Sequence, residues 1–292
     1  MTASIKSLAP WWVKIAVKII LARLPIRYQI WRRIGIFGHG FMDHHDYAWR
    51  TIRSRIFDAC GNLDCTGKLC LELGPGDSAF SALIFRALGA KEVILIDAED
   101  FVQRDVRKYN EFAKWLSTNH VTDFQFPHFK SFDDVMVYCN ARYLTGGIAA
   151  FSEIGDNKVD LVISQAVLEH IPFEDCDALF CEFKRCASSV CAFSHEIDLR
   201  DHLADSLHNL RFSKQIWESR TFAASGFYTN RIRYSEFMKM FENLTPDPTV
   251  TDVTCWQQVP LDTSKLHVDF HQYREDDLKM RTFVVSGIHQ SK

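Results

Sequence analysis

The chain has 292 residues, a formal net charge of −3 at pH 7 and 47% hydrophobic residues. This length suits one decorated α/β domain with a buried core, and the balance of charge argues against bulk nucleic-acid binding, which needs a basic surface. Nine cysteines cannot all pair within the chain. Four of them follow one another at five-residue intervals. This spacing would not place them on one face of a helix, and it differs from that of a zinc knuckle. We therefore expect reduced thiols and assign no metal site to them.

The first 42 residues are basic and contain no acidic residue. Between Trp11 and Ile20, tryptophan and isoleucine interleave with lysines at helical spacing, and Pro25 ends the pattern. Two interpretations stay open: an amphipathic helix on an anionic membrane surface, or a helical cap on the main domain with solvated lysines. Charges interrupt the apolar stretch, so we predict no secretion signal and no membrane span, and expect a cytoplasmic protein whose N-terminal helix could touch the inner membrane face. The basic residues are Lys6, Lys14, Lys18, Arg23, Arg27, Arg32 and Arg33.

A glycine turn between two apolar strands follows. Leu69–Leu71 is predicted to be a buried parallel strand, Gly74–Ser78 a tight turn, and 79–88 a helix that Gly89 closes. Val93–Ile96 is a second strand with Asp97 at its carboxyl end. Such a unit holds a nucleoside cofactor across the tips of a parallel sheet, and an acid about 20 residues beyond the turn can accept hydrogen bonds from ribose hydroxyls.

The remaining pattern predicts one domain with decorations. We expect a basic helical cap over residues 1–62 and a cofactor-binding domain over 63–292, with insertions at 101–156 and 195–245 that shape the site. The predicted elements are a helix at 104–116, a helix or strand at 132–138, strands at 159–164 and 190–194, helices at 173–187, 212–218 and 235–242, and late strands at 249–259 and 281–288.

The residues around the turn discriminate among nucleoside cofactors. A dinucleotide turn has a third glycine, whereas Ser78 and Ala79 stand here. An acid before the first glycine, Glu72, would repel a pyrophosphate but could face the ammonium and sulfonium charges of S-adenosylmethionine. This charge argument favours the methyl donor over nicotinamide and flavin.

Two motifs carry a resemblance to a known family. Glu72–Ser78 resembles the first motif of class I S-adenosylmethionine-dependent methyltransferases, Asp97 resembles their ribose-binding acid, and 160–171 resembles their fourth strand and the segment after it. The resemblance implies an α/β, Rossmann-like class I methyltransferase fold, with a mostly parallel seven-stranded sheet and an antiparallel last strand. No acid that would bind adenine is recognisable near Tyr143–Gly147. The cofactor-binding residues that it implies are Glu72, Gly74, Gly76, Asp77, Ser78, Asp97, Ser164 and Gln165.

The acceptor side is predicted from histidines at the rim of the sheet, because a hydroxyl acceptor needs a base. His195 is our preferred base and His170 the other candidate, although Glu169–His170 could equally hold the following helix. If 195–202 is helical, His195, Asp198 and His202 share a face. That face would suit a base supported by Asp198 or a divalent metal that orients a sugar diol, and a solvated loop is the third alternative.

Further candidates for acceptor binding follow in the chain. Arg231 and Arg233 would face one side of a strand and suit a phosphate or carboxylate, with Asn230, Arg211 and His202 nearby. More weakly, the basic helix and the segments 195–202 and 228–233 resemble methyltransferases of bacterial surface-polysaccharide and glycan biosynthesis.

The sequence therefore predicts an S-adenosylmethionine-dependent methyltransferase that O-methylates a sugar hydroxyl on a glycan or glycan precursor by in-line transfer to an acceptor deprotonated by histidine. The alternatives are methylation of a small-molecule natural product, a non-catalytic binding module on the same fold, and a nicotinamide oxidoreductase.

Overall fold

A computed structural model describes residues 10–22 and 41–290 of the chain. Of the basic N-terminal residues, Lys6, Arg23, Arg27, Arg32 and Arg33 lie outside these ranges. The α-helices are α1 (Trp11–Ala22), α2 (His45–Cys60), α3 (Phe80–Ala87), α4 (Val106–Asn119), α5 (Phe132–Tyr138), α6 (Cys176–Cys186), α7 (Lys214–Trp217), α8 (Arg220–Ala223), α9 (Tyr234–Glu242) and α10 (Glu275–Lys279).

Seven strands form one sheet in the order β3-β2-β1-β4-β5-β7-β6. β7 runs antiparallel to both of its neighbours, and the other strands share one direction. The predicted fold class, a Rossmann-like class I methyltransferase fold, is confirmed by this order. The strands are β1 (Leu69–Leu73), β2 (Glu92–Asp97), β3 (Ala141–Thr145), β4 (Val159–Gln165), β5 (Ala187–Asp198), β6 (Thr249–Cys255) and β7 (Met280–Gln290).

Apolar side chains of the central strands alternate between two cores, one on each face of the sheet. Cys70 and Val93 pack with α2, α3 and α4 on one face. Leu71 and Ile94, the next residues along, pack with α6 and α9 on the other. Successive side chains of a strand point to opposite faces, so continuous apolar runs indicate a sheet that helices cover on both sides.

The predicted insertion at 101–156 is wrong, since this region supplies the third strand of the sheet. β3 lies between α5 and a 3₁₀ turn at Gly147–Glu153, and it pairs in parallel with β2. Its sequence, Ala-Arg-Tyr-Leu-Thr, is only partly buried at the sheet edge, and it therefore lacks the apolar run that revealed β1, β2 and β4.

The second predicted insertion contains a different error. β5 continues to Asp198, so 195–202 is not the helix on which a shared face of His195, Asp198 and His202 depended. Between 199 and 233 the chain makes short helical turns around an apolar cluster that includes Leu203, Trp217 and Phe227.

α1 packs on the same cluster through Ile15. Lys14 donates a hydrogen bond to the carbonyl of Leu203, and Lys18 to that of His202, so both lysines face the protein. Trp12 and Ile20 are exposed instead. This helix therefore packs on the main domain as a cap, and its lysines are hydrogen-bonded to the protein rather than solvated. Membrane contact stays a prediction. No helix in the described ranges is long and apolar enough to cross a membrane.

Arg233 contradicts the prediction of an anion-binding strand at 231–233, because the segment is not a strand and the side chain is fully buried. Its guanidinium donates to the carbonyls of Leu199, Asp277 and Met280 at 2.8 to 3.0 Å. Burial lowers its pKa to about 10, which still leaves it charged at neutral pH. Arg233 thus joins the start of α9, the loop after β5 and the start of β7.

We predict that Arg233→Ala lowers the free energy of unfolding by about 3–5 kcal/mol, because it leaves three buried carbonyls without a donor. Urea denaturation followed by circular dichroism measures this. The exposed Arg220 gives the matched control, and Arg220→Ala should stay within about 0.5 kcal/mol of the wild type. A variant at 233 as stable as the wild type would remove Arg233 from this structural role.

Candidate functional site

The glycine turn after β1 requires its glycines. Gly74 and Gly76 have φ angles of +72° and +66°, in the left-handed region that other residues rarely adopt. The Gly74 amide donates to the carbonyl of Ile96 at 2.7 Å. A Cβ at Gly74 would lie 2.4 Å from Cγ2 of Val167, so the segment after β4 packs directly against the turn.

Asp97 lies at the end of β2 beside this turn. One carboxylate oxygen accepts from the Gly76 amide at 2.9 Å and the other from the Ala98 amide at 2.8 Å. Burial raises its pKa to about 6, and the hydrogen bond from Gly76 acts against that rise. Each oxygen keeps a lone pair, and the next residues, 98–100, are exposed at the same edge of the sheet.

Glu72 does not play the electrostatic part that the sequence predicts. It is fully buried and accepts a hydrogen bond from Ser81 Oγ at the start of α3. Burial raises its pKa to about 8, so the carboxyl group is mainly protonated at neutral pH. A neutral Glu72 neither repels a pyrophosphate nor attracts a sulfonium, and it instead joins β1 to the helix that follows the turn.

The other predicted cofactor contacts divide between the turn and the core. Ser78 Oγ accepts from the Phe80 amide, and the Asp77 carbonyl accepts from Gln103, so both residues shape the turn. Ser164 is buried and shares a 2.8 Å hydrogen bond with His195 Nδ1, which directs its hydroxyl into the core. Gln165 is partly exposed where β4 ends.

His195 is a core histidine, which is a correction to our preferred base. It is 0% exposed, and its ring stacks on Phe183 at 5.5 Å and tilts against Phe241 at 5.6 Å. Burial lowers its pKa to about 3. Because β5 continues for three residues beyond His195, the ring packs in the core on one face of the sheet rather than at the carboxyl ends of the strands. Asp198, three residues further along, points to the opposite face of the sheet.

His170 and His202 meet at the rim instead. Nε2 of His170 lies 3.2 Å from Nε2 of His202, and the rings stack with their centroids 4.8 Å apart. Nδ1 of His170 lies 2.9 Å from the Tyr228 carbonyl, which can only accept, so Nδ1 carries the proton and Nε2 accepts a hydrogen bond from Nε2 of His202. Surrounding protein lowers the pKa of both histidines, that of His202 to about 4, although His170 is open to solvent.

Glu169 lies close to His170 and His202. Its Oε1 accepts from the Asp198 amide at 3.3 Å, and its Oε2 is buried without a hydrogen-bond partner within the described ranges. Burial raises the pKa of Glu169 well above its usual range. Asp198 itself is held by Arg200, through bonds of 2.8 and 2.6 Å, rather than by a histidine.

The predicted acceptor-binding residues mostly serve the structure. The Asn230 side chain donates to the carbonyls of Leu168 and Ile171, and thereby holds the turn that carries His170. Arg231 donates to the Phe212 carbonyl and pairs with Glu218 at 3.1 Å. Arg211 lies over the ring of Trp11 at 5.2 Å. Among these candidates, only His202 lies against a candidate catalytic side chain.

No family model matches the chain, and no curated protein matches it. Solved structures similar to it include an S-adenosylmethionine-dependent methyltransferase from Mesorhizobium loti, with 13% identity, a TM-score of 0.44, and coverage of 83% of this chain and 97% of that one. Another is a phosphoethanolamine N-methyltransferase from Haemonchus contortus, solved with phosphomonomethylethanolamine and S-adenosylhomocysteine. It has 13% identity and a TM-score of 0.45, and the alignment covers 84% of this chain and 53% of the Haemonchus chain. The strand order of the sheet defines the fold independently of these similarities.

The core position of His195 predicts a change in acid stability. Because the folded pKa is about 3 and the unfolded value 6.5, the unfolded chain alone takes up this proton between those values, and stability falls as the pH falls below 6.5. His195→Phe should abolish that contribution. We expect the loss of unfolding free energy between pH 7 and pH 5 to be about 2 kcal/mol smaller in the variant, measured by urea denaturation at both values.

The exposed His128 gives the control for this measurement, and His128→Phe should leave the pH dependence as in the wild type. An identical pH dependence in His195→Phe and the wild type would show that the folded protein protonates His195, contrary to its burial.

Proposed function

We propose that this protein transfers a methyl group from S-adenosylmethionine to an oxygen acceptor. The observation that carries the proposal is the hydrogen bond between the Asp97 carboxylate and the Gly76 amide, where β1 and β2 end beside each other. It presents an acid with free lone pairs next to a turn whose glycines allow close approach of a ligand. Ligands of open α/β sheets bind outside the carboxyl ends of the strands, at this kind of position.

Sheet topology supports a methyl donor over a dinucleotide. Nicotinamide-binding domains have the parallel order 3-2-1-4-5-6, whereas here β7 inserts antiparallel between β5 and β6. The charge of Glu72 does not contribute to this preference, because its carboxyl group is mainly protonated at pH 7. For adenine we propose the exposed edge at Thr145–Gly147, where the Gly146 amide donates to the Ala98 carbonyl one residue beyond Asp97.

On the acceptor side we propose His170 as the activating residue. Its Nε2 accepts a hydrogen bond from His202 at the open surface, and an acceptor hydroxyl that displaces His202 would give its proton to the same lone pair. The acceptor oxygen then attacks the methyl carbon in line with the sulfur, the carbon–sulfur bond breaks, and S-adenosylhomocysteine leaves. Val167, three residues before His170, packs on the glycine turn, so donor and acceptor sides are neighbours along one short segment.

As the acceptor we propose a sugar hydroxyl on a glycan or glycan precursor. Its support is the polar character of the rim, where His170 and His202 lie beside Asp198 and the ammonium of Lys18. A phenolic small molecule is the alternative. Transfer of label from methyl-tritiated S-adenosylmethionine to a panel of both classes would decide between them.

We predict that Asp97→Ala weakens binding of S-adenosylhomocysteine by about 1–3 kcal/mol, or roughly 5- to 150-fold, because ribose hydroxyls lose their acceptor. Isothermal titration calorimetry measures this. The exposed Asp123 provides the matched control, and Asp123→Ala should bind as the wild type does. Unchanged affinity in Asp97→Ala would contradict the ribose assignment, and a wild type that binds NAD instead would contradict the cofactor.

We predict that His170→Ala lowers turnover of label by about 10²–10⁴-fold while S-adenosylhomocysteine still binds, because the acceptor hydroxyl keeps its proton. His128→Ala serves as the control for loss of a histidine, and His195→Phe tests the rejected base. Full activity in His170→Ala together with inactivity in a folded His195→Phe would return the role to His195.

A further inference from the structure

We infer that Glu169, His170 and His202 form a binding site for a divalent transition-metal ion. The three residues offer one ligand atom each, and these atoms lie within 4.8 Å of one another. Two imidazole nitrogens and a carboxylate oxygen are the donor set that suits zinc and its neighbours in the first transition row. The sequence placed a metal alternative on His195, Asp198 and His202, whereas the structure replaces two of those three residues.

The histidine geometry fits coordination. Two nitrogens bound to one tetrahedral zinc ion at about 2.0–2.1 Å lie about 3.3 Å apart, and the two Nε2 atoms here are 3.2 Å apart. His170 has its other nitrogen fixed by the Tyr228 carbonyl. A metal-bound histidine commonly donates its second ring N–H to a carbonyl in this way, which directs the free lone pair at the ion.

The carboxylate supplies an independent indication. Glu169 is 1% exposed, and its Oε2 is a buried acceptor for which no donor is found within residues 10–22 and 41–290. Buried polar atoms almost always have a partner, and a carboxyl oxygen of Glu169 lies within 4.8 Å of a ring nitrogen of each histidine, so a bound cation would supply the missing partner. The Asp198 amide holds the other oxygen and thereby fixes the orientation of the carboxylate.

Neighbouring residues complete the support of the site. Asn230 fixes the 3₁₀ turn that carries Glu169 and His170, through the carbonyls of Leu168 and Ile171. Asp198 lies near both histidines, but Arg200 pairs with it, and the ammonium of Lys18 opposes a cation as well. Three protein ligands leave the fourth position of a tetrahedral ion open, as in catalytic rather than structural zinc sites.

The role of the ion in the reaction rests on the proposed function. A hydroxyl bound at the open position would lose its proton to solvent at a lower pH, and its oxygen would attack the methyl carbon as the bond to sulfur breaks. His170 would then activate the acceptor by holding the ion rather than by taking the proton. Binding of the ion itself does not depend on methyl transfer.

The test measures metal affinity in the chain of 292 residues. Wild type stripped with a chelator is titrated with Zn²⁺ against a chromophoric competitor and, separately, with Co²⁺, whose visible absorption reports its ligands. We expect one equivalent, and affinity at least about 100-fold lower in His170→Ala and His202→Ala. Glu169→Gln should also bind more weakly, and His128→Ala as the wild type does.

Binding of S-adenosylhomocysteine to every variant separates loss of the metal site from loss of the fold. No bound equivalent in the wild type, or equal affinity in wild type and a folded His202→Ala, would overturn the inference. A protein that binds S-adenosylhomocysteine but no metal contradicts the metal site alone. One that binds Zn²⁺ but no S-adenosylhomocysteine contradicts the proposed function alone.

Discussion

The hydrogen bond from the Gly76 amide to Asp97 is the constraint on which the candidate site depends. It joins the ends of β1 and β2, and the bond from Gly74 to the Ile96 carbonyl closes the same junction. With both glycines at positive φ, the chain turns tightly enough for Val167 to occupy the space that a side chain at Gly74 would need. The position of the segment after β4, and so of His170, follows from that close packing.

The fold could be predicted because its central strands are continuous apolar runs buried on both faces. β1, β2 and β4 are such runs, and the glycine turn with Asp97 about 20 residues beyond it has the spacing of a nucleoside-binding unit. β3 was not predicted, because it is not such an apolar run. It lies at the edge of the sheet, and its Ala-Arg-Tyr-Leu-Thr sequence shows neither an apolar run nor a clean alternation.

The acceptor side was predicted less well, because it depends on where a strand ends. His195 would be at the rim if β5 ended one residue before it, and it is in the core because β5 ends three residues after it. The sequence around His195 is compatible with a strand or a helix, so local pattern could not decide. Burial of Glu72 and Arg233 was equally hidden. The partner of Glu72 is Ser81 Oγ, on the helix after the turn, and the partners of Arg233 are three backbone carbonyls at least 34 residues away.

The chain between β5 and α9 holds the candidate acceptor site in place. Tyr228 and Asn230, both in this excursion, fix His170 and the turn beneath it, while His202 supplies the facing ring. A polar group at the rim of a sheet would otherwise have many orientations, and fixing it lowers the entropy lost when an acceptor or an ion binds. Asn230, which the sequence marked for contact with the acceptor, therefore acts one step earlier, by holding in place the turn that carries His170.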